Sequence, residues 1–410
     1  MSAVATRDDV LAGVGLSCVF QPFVDVDTGS VPAFEALMRG PAGTPLHSPL
    51  ALLAAAHETG RLADLEHASL RTALTDADAL SEGRPLTVFV NLEPSTLTQH
   101  LDMVLETLAG RAGHLQVVVE ITERALADDL AGMLTAAERL RAAGCAIALD
   151  DVGAQPESLA FIPLLRPEVV KLDLGLLRTV KDPATVAVAG AVRAYAEQAG
   201  AEVVAEGIEV PEDLTRALVL GATLGQGWLW GRGERRLDRW TPAPERFAAR
   251  PIGAALHTTP YQLIGADRRI RQAPKHLLVP VSKTLELMAA QEAVPPILLA
   301  AFEHASFFQP STVRRFTDLA ARLPFVAALG VDMPAFPAPG VRGGALSARD
   351  PLAAEWTVVV LGAHTSAALM ARDLGDTGPD PDRRFEFAVS HDRALVTAAA
   401  HAMVGRLTAP

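Results

Sequence analysis

Oxygen-bearing side chains recur at one kind of place along this 410-residue chain, the end of a short apolar run. The stretch from Cys145 to Asp173 reads CAIALDDVGAQPESLAFIPLLRPEVVKLD. Its first run, residues 146–149, stops at Asp150 and Asp151; its second, 169–170, stops at Lys171 and Asp173. Adjacent carboxylates disfavour each other's charge unless a cation lies between them. Glu35, Asn91, Glu120, Glu206 and Gln226 sit at or just past other such runs. Hard oxygen donors of this kind suit Mg²⁺ or Mn²⁺ rather than zinc. The Asp150–Asp151 pair could hold or bridge two ions, which in two-metal sites lie about 3.5–4 Å apart and clamp both oxygens of a phosphoryl displacement. Lys171 could orient or deprotonate the attacking water, or neutralise transition-state charge. Arg39 offers a fork for a phosphate, and Gln21 could also hold substrate.

Each of these residues also has a plainer role. Asp150 could cap the next helix and pair with Lys171. Asn91 could be a turn residue and Gln226 a loop residue. Glu123 could be a first-turn acid favoured by the helix dipole, and Glu209, ahead of Pro211, could simply begin a helix. Their common position at strand ends argues against all these roles holding at once.

The positioning elements follow from the apolar pattern. Residues 16–24, 31–37, 86–90, 115–119, 146–149, 169–170, 202–204 and 223–230 read as strands. Helical spacing fills 49–56, 62–74, 95–108 with Ser95 as cap, 124–143 closed by Gly144, 157–165, 183–198 closed by Gly200, and 211–220 closed by Gly221. Strands alternating with helices over about 240 residues fit a closed (β/α)₈ barrel, whose strand ends converge on one mouth.

Length alone predicts two domains, since single cores stop growing below this size. A net charge of −12 argues against a general nucleic-acid-binding field. Cys18 and Cys145 are the only cysteines, which gives no disulfide framework and no zinc spacing, and fits a reducing cytoplasmic setting. No run of about 18 apolar residues predicts a spanning helix. Lysine occurs only at 171, 181, 275 and 283, which makes Lys171 at a strand end harder to treat as a random surface charge.

These residues carry a resemblance. Glu35-Ala-Leu, Gln21-Pro22, Asn91-Leu92, Glu120-Ile-Thr-Glu123, Asp150-Asp151-Val-Gly153, Lys171-Leu-Asp173, Glu206-Gly-Ile-Glu209 and Gln226-Gly227 stand in the order of an EAL domain, and the segment from about residue 10 to 245 resembles that cyclic-di-GMP phosphodiesterase family. The resemblance implies a modified TIM barrel with an antiparallel first strand. It implies one divalent ion on Glu35, Asn91, Glu120 and Asp150, and another around Asp150, Asp151 and Glu206. Lys171, with Glu35, Glu206 and Gln226, would carry the hydrolysis of cyclic di-GMP to linear pGpG. Gln21, Arg39 and Glu209 would hold substrate, Glu123 would anchor the loop after the aspartates, and a homodimer would form. The loop departs from the family: residues 152–159 read Val-Gly-Ala-Gln-Pro-Glu-Ser-Leu where a Phe-Gly-Thr-Gly-Tyr-Ser-Ser-Leu-like stretch is usual. A receptor that binds the dinucleotide with little turnover is the alternative, and a scaffold without either activity a third.

Residues 1–248 thus form the expected barrel domain and 249–410 a second, smaller α/β domain. In the latter, 281–291, 295–307, 311–322 with Ser311 as cap, 365–371 and 392–407 read as helices, and 325–329, 356–361 and 385–389 as strands. Residues 308–315, 326–330, 356–362, 383–385 and 391–393 resemble the DICT domain, a sensory module whose ligand the resemblance does not imply.

Overall fold

The computed structural model describes residues 6–122, 126, 128–153, 156–237, 239–250, 258–265 and 268–407. Two compact units emerge: Met1–Glu123, Ala136–Ala154 and Pro167–Pro251 form one, and Arg124–Thr135, Gln155–Arg166 and Ile252–Pro410 the other.

In the first unit, β1 (Ser17–Asp25), β2 (Ala33–Arg39), β3 (Leu86–Asn91), β4 (Leu115–Thr122), β5 (Ala146–Val152), β6 (Val169–Leu172), β7 (Glu202–Ala205) and β8 (Leu224–Gly225) close into a barrel in sequence order. Strands β2 to β8 run parallel, and β1 is antiparallel to both of its neighbours. Parallel barrel strands are covered on both sides, so their sequences are continuously apolar rather than alternating; β3 is buried along Leu86–Val90. Phe23, Phe89, Val118, Ala148, Val169, Val204, Leu224 and Phe247 form one buried cluster. Phe23 and Phe89 pack with ring centroids 4.5 Å apart. Phe247 comes from the short 3₁₀ turn Pro244–Phe247.

Several helices differ from the periodicity. The stretch after β3 is two helices, Pro94–Gln99 and Leu101–Ala109, and the first is capped at Glu93 rather than Ser95. Pro94 at the first helical position explains the shift, because its missing N–H costs nothing there. Below β5 and β6, buried Glu168 accepts from Arg141 Nε (2.9 Å) and from the Ile147 and Arg250 backbone N–H groups. This buried acid ties neighbouring strands where bare charge would be costly.

The second unit holds a seven-stranded mixed sheet, ordered β12-β11-β10-β13-β14-β15-β9, from β9 (Arg271–Pro274), β10 (Ile297–His304), β11 (Val326–Val331), β12 (Val341–Leu346), β13 (Glu355–Leu361), β14 (Ser366–Asp373) and β15 (Arg384–Ser390). Helix Lys275–Gln291 lies against β13 and helix Pro310–Ala320 against β11 and β12, both contributing to one core with Trp356, Val358 and Val360, while Arg393–Val404 lies against β13 and β14. The helices expected at 295–307 and 365–371 are strands β10 and β14. Ile297–Ala301 is buried throughout, and a fully buried strand has the same apolar run as a buried helix. The alanines, leucine and methionine of β14 favour helix in isolation, but burial between two strands overrides that preference. Helix Pro310–Ala320 is capped at Gln309, not Ser311.

Candidate active site

The mouth of the barrel gathers residues from strands that are far apart in sequence. Asn91 lies beside Glu120 in the β3–β4 register. Gln21 is paired with Glu35 across β1 and β2. Lys171 sits in β6, and Ala205 pairs with Gly225, which places Glu206 and Gln226 just beyond neighbouring strand ends.

Strand β5 is where the sequence alone misleads. Successive strand residues point to opposite faces, so Asp150 and Asp151 should diverge. The β5–β6 register shifts between Leu149 and Val152: Leu149 pairs with Val170 and Val152 with Leu172, leaving both aspartates opposite Lys171. This is a bulge, which re-aims side chains and favours a left-handed residue. Asp151 has φ 58°, and its N–H donates to Asp150 Oδ1 (2.9 Å). Through that bulge, oxygens of Asp150, Asp151 and Glu206 come within 4.8 Å of one another. No sequence signal beyond the paired acids at a strand end marks it.

At the centre is Lys171, 1% exposed. Its Nζ lies 2.8 Å from Glu120 Oε1, 2.8 Å from Glu206 Oε1, 3.2 Å from Asp150 Oδ1 and 3.9 Å from Glu35 Oε2. Glu35 is held from two sides: Asn91 Nδ2 donates to Oε1 (2.8 Å) and Gln226 Nε2 to Oε2 (2.7 Å). Gln226 is placed by a backbone contact, the Ile208 N–H donating to its carbonyl (3.0 Å). A Cβ at Gly227 would meet Ile208 O at 2.1 Å, so only glycine permits the approach.

Burial works against charge throughout this cage, and neighbours decide the outcome. Burial pushes the Glu35 carboxyl up, but Lys171 and the two amides outweigh it and hold the pKa below its ordinary value. Glu120 is driven well above the carboxylate range, first by burial and then by the charge of Glu35. Glu206 is raised to about 7, chiefly by burial. Burial lowers the Lys171 pKa, but Glu120, Glu206, Glu35 and Asp150 together raise it well above normal. One ammonium among these carboxylates leaves a surplus of negative charge in a dry site. Glu120 Oε2 adds a buried oxygen without a hydrogen-bond partner among the described residues. A surplus of hard oxygens and an orphaned carboxylate oxygen fit a divalent cation.

The remaining expected site residues lie outside the cage. Arg39 is half-buried, donates to its own strand at the Met38 carbonyl (2.8 Å), and makes no ion pair among the described residues. Gln21 Nε2 lies 3.4 Å from the Gly231 carbonyl. Glu209 is exposed, with its backbone N–H donating to Asp213 Oδ2 (3.2 Å). Glu123 lies outside the described residues.

Comparison with known proteins bears on this geometry. Residues 5–233 match the family model described as EAL domain. Residues 261–374 match that of DICT, the sensory domain in diguanylate cyclases and two-component systems. The cyclic di-GMP phosphodiesterase RocR of Pseudomonas aeruginosa is 30% identical over 243 residues, 55% of this chain and 59% of RocR. The blue light- and temperature-regulated antirepressor BluF of Escherichia coli is 27% identical over 220 residues, 52% of this chain and 53% of BluF. The chain therefore spans little more than half the length of these curated relatives. Among solved structures, the Xanthomonas citri FimX EAL domain in complex with c-diGMP superposes with a TM-score of 0.50 at 19% identity, over 57% of this chain and 94% of that domain, a likeness of fold. With a barrel of this topology and a family match across more than half its length, the chain belongs to the EAL domain family, and the segment C-terminal to it in sequence matches the DICT sensory domain.

Proposed function

We infer that the chain hydrolyses cyclic di-GMP to linear pGpG in a divalent-metal-dependent reaction. The observation that carries this reading is the cage of Glu35, Glu120, Asp150 and Glu206 around the Lys171 ammonium. Glu35, Asn91, Glu120 and Asp150 would hold one Mg²⁺ or Mn²⁺ ion, and Asp150, Asp151 and Glu206 a second. Bound there, such ions supply charge stabilisation at the scissile phosphate and lower the pKa of the attacking water. Lys171, buried and held in its charged form, orients that water and offsets negative charge developing on the phosphate. Asn91 and Gln226 fix the Glu35 carboxylate so that its oxygens do not reorient during the reaction. Arg39, a half-buried guanidinium with no ion pair among the described residues, takes a phosphate of the substrate bidentately, with Gln21 and Glu209 as further substrate contacts.

Residues 1–248 act as the catalytic domain and 249–410 as the sensory domain of a cytoplasmic homodimer. Regulation through the second domain has a covalent basis. The segment from 155 to 166 belongs to the second compact unit, yet it joins β5, which bears Asp150 and Asp151, to β6, which bears Lys171. Within that unit, His401 Nε2 donates to the Leu164 carbonyl (2.7 Å).

Purified full-length protein incubated with cyclic di-GMP across a Mg²⁺ and Mn²⁺ titration tests the reading. Linear pGpG should form only with metal, and Glu35→Ala should abolish it while leaving the circular dichroism spectrum intact. Normal turnover by Glu35→Ala would refute the assigned mechanism. A receptor without turnover is the second reading. It is favoured by the loop at 152–159, which has lost the family's second glycine, threonine and aromatic. Tight dinucleotide binding with metal and no product would select it.

A further inference from the structure

A cavity of about 230 Å³ lies in the second unit between helices Lys275–Gln291 and Pro310–Ala320 and strands β10 and β13. Drug-sized pockets run to about 300–1,000 Å³, so this one takes a smaller molecule. Its walls are aromatic: Phe302, Phe307 and Trp356 all line it. Flat faces of this kind hold a ring by stacking or edge contact.

The polar groups on the lining divide into two sets. Every acid is already engaged by a cation. Glu286 is paired with Arg315, Glu303 with Arg383 at 2.7 Å, and Asp380 with Lys275 at 2.6 Å. Among the groups left over, beside the exposed Gln309 side chain, are donors. Lys283 is exposed and makes no ion pair among the described residues. Thr312 is 9% exposed, and its hydroxyl has no hydrogen-bond partner among the described residues. The helix that carries Thr312 has no side-chain cap at Gln309, Pro310 lacks an N–H, and the Thr312 and Val313 N–H groups both go to the Gln309 carbonyl. That leaves the Ser311 N–H, at the positive end of the helix dipole, without a described partner. The Thr312 hydroxyl lines the cavity without a described partner, so a ligand oxygen there can accept from it. The cavity wall is also strained: Glu303 sits at a register shift in β10 with φ 61°, a backbone state that non-glycine residues adopt mainly where structure demands it.

We propose that this cavity binds a small aromatic carboxylate. The ring lies among Phe302, Phe307 and Trp356, and the carboxylate takes the Thr312 hydroxyl, the Ser311 N–H and the Lys283 ammonium. The inference rests on the sensory reading of the second domain and not on the chemistry of the barrel. Its test is therefore run without cyclic di-GMP or metal, so that the two fail separately.

Titration calorimetry of the full-length protein with benzoate, phenylacetate and indole-3-carboxylate, beside benzamide, phenylacetamide and acetate, decides it. At least one aromatic acid should bind about tenfold or more tighter than both its amide and acetate. Lys283→Gln or Thr312→Val should weaken that acid about fivefold or more, with the unliganded melting temperature of Lys283→Gln unchanged because the side chain is on the surface. Binding of none of the three acids, equal binding of acid and amide, or wild-type affinity in both variants would overturn the proposal.

Discussion

The Lys171 ammonium lies 2.8 Å from Glu120 Oε1, and each residue is only 1% exposed. The same ammonium also neutralises Glu35 and Asp150, and removing it leaves their charge uncompensated in a dry site, at a cost of about 3–5 kcal/mol. Lys171→Ala should therefore lower the stability of the barrel by roughly that amount in EDTA. Mn²⁺ should restore much of the loss, because a cation can then neutralise the carboxylates that Lys171 left. Urea unfolding with and without Mn²⁺ measures both. A variant as stable as wild type in EDTA would mean that the ammonium does not offset these acids.

Turnover should fail separately from stability at Gln226. Its amide holds Glu35 Oε2 at 2.7 Å, opposite the Asn91 amide on Oε1. Loss of a hydrogen bond that orients a metal-binding group costs about 10–100-fold in affinity or activity. Gln226→Ala is expected to lower kcat within that range and to raise the metal concentration needed for half-maximal rate. Steady-state kinetics over a Mn²⁺ series would show it; an unchanged metal midpoint with unchanged kcat would remove Gln226 from the positioning role.

The strand ends were readable because a barrel strand buried on both sides leaves a continuous apolar run, and its first charged or amide residue marks the mouth. Asn91, Glu120, Lys171 and Glu206 lie at or near such ends, whereas Glu35 stands inside β2, with Ala36–Arg39 still to follow in the strand. Asp151 departs further: alternation would send it away from Asp150, and only the bulge opposite Lys171, with Asp151 at φ 58°, brings both to one side. A bulge is decided by pairing between strands, which a single sequence does not state. The antiparallel β1 is equally invisible to periodicity and was available only through the family resemblance. In the second domain, Ile297–His304 and Ser366–Asp373 are strands because each lies between two partners. Their own residues carry no such information, since alanine and leucine fit a buried helix as well.

His401 offers a test of the proposed regulation by the second domain. It is buried, and its Nε2 donates to Leu164 O in the segment that leads from Asp151 to Lys171. His401→Leu would leave that carbonyl without this donor, a penalty of about 1–3 kcal/mol for a buried acceptor. Under the regulatory reading, pGpG production should change by about threefold or more, while the metal midpoint stays at the wild-type value because no cage residue is touched. Unaltered rates in a folded His401→Leu protein would count against this route between the domains.

Glu355 sets a pH dependence in the second domain that is independent of the barrel site. It is 2% exposed, accepts from the Thr259 hydroxyl, and accepts from the Tyr261 N–H at 3.1 Å. Burial outweighs those bonds and pushes its pKa up to about 7. The folded state then binds a proton more tightly than the unfolded chain, whose carboxyl titrates near its ordinary value of 4.5. Protons bound in the unfolded state fall below those in the folded state between these two values, so stability declines as pH rises through the window. The contribution is fully present below pH about 4.5 and lost above about 7, a change on the order of 3 kcal/mol. Glu355→Gln keeps an acceptor for Tyr261 and cannot ionise, so its stability should be flatter across the same interval. Melting curves of both proteins from pH 5 to pH 8, in EDTA to hold the barrel's metal state fixed, test this, and parallel curves would show that Glu355 does not titrate there.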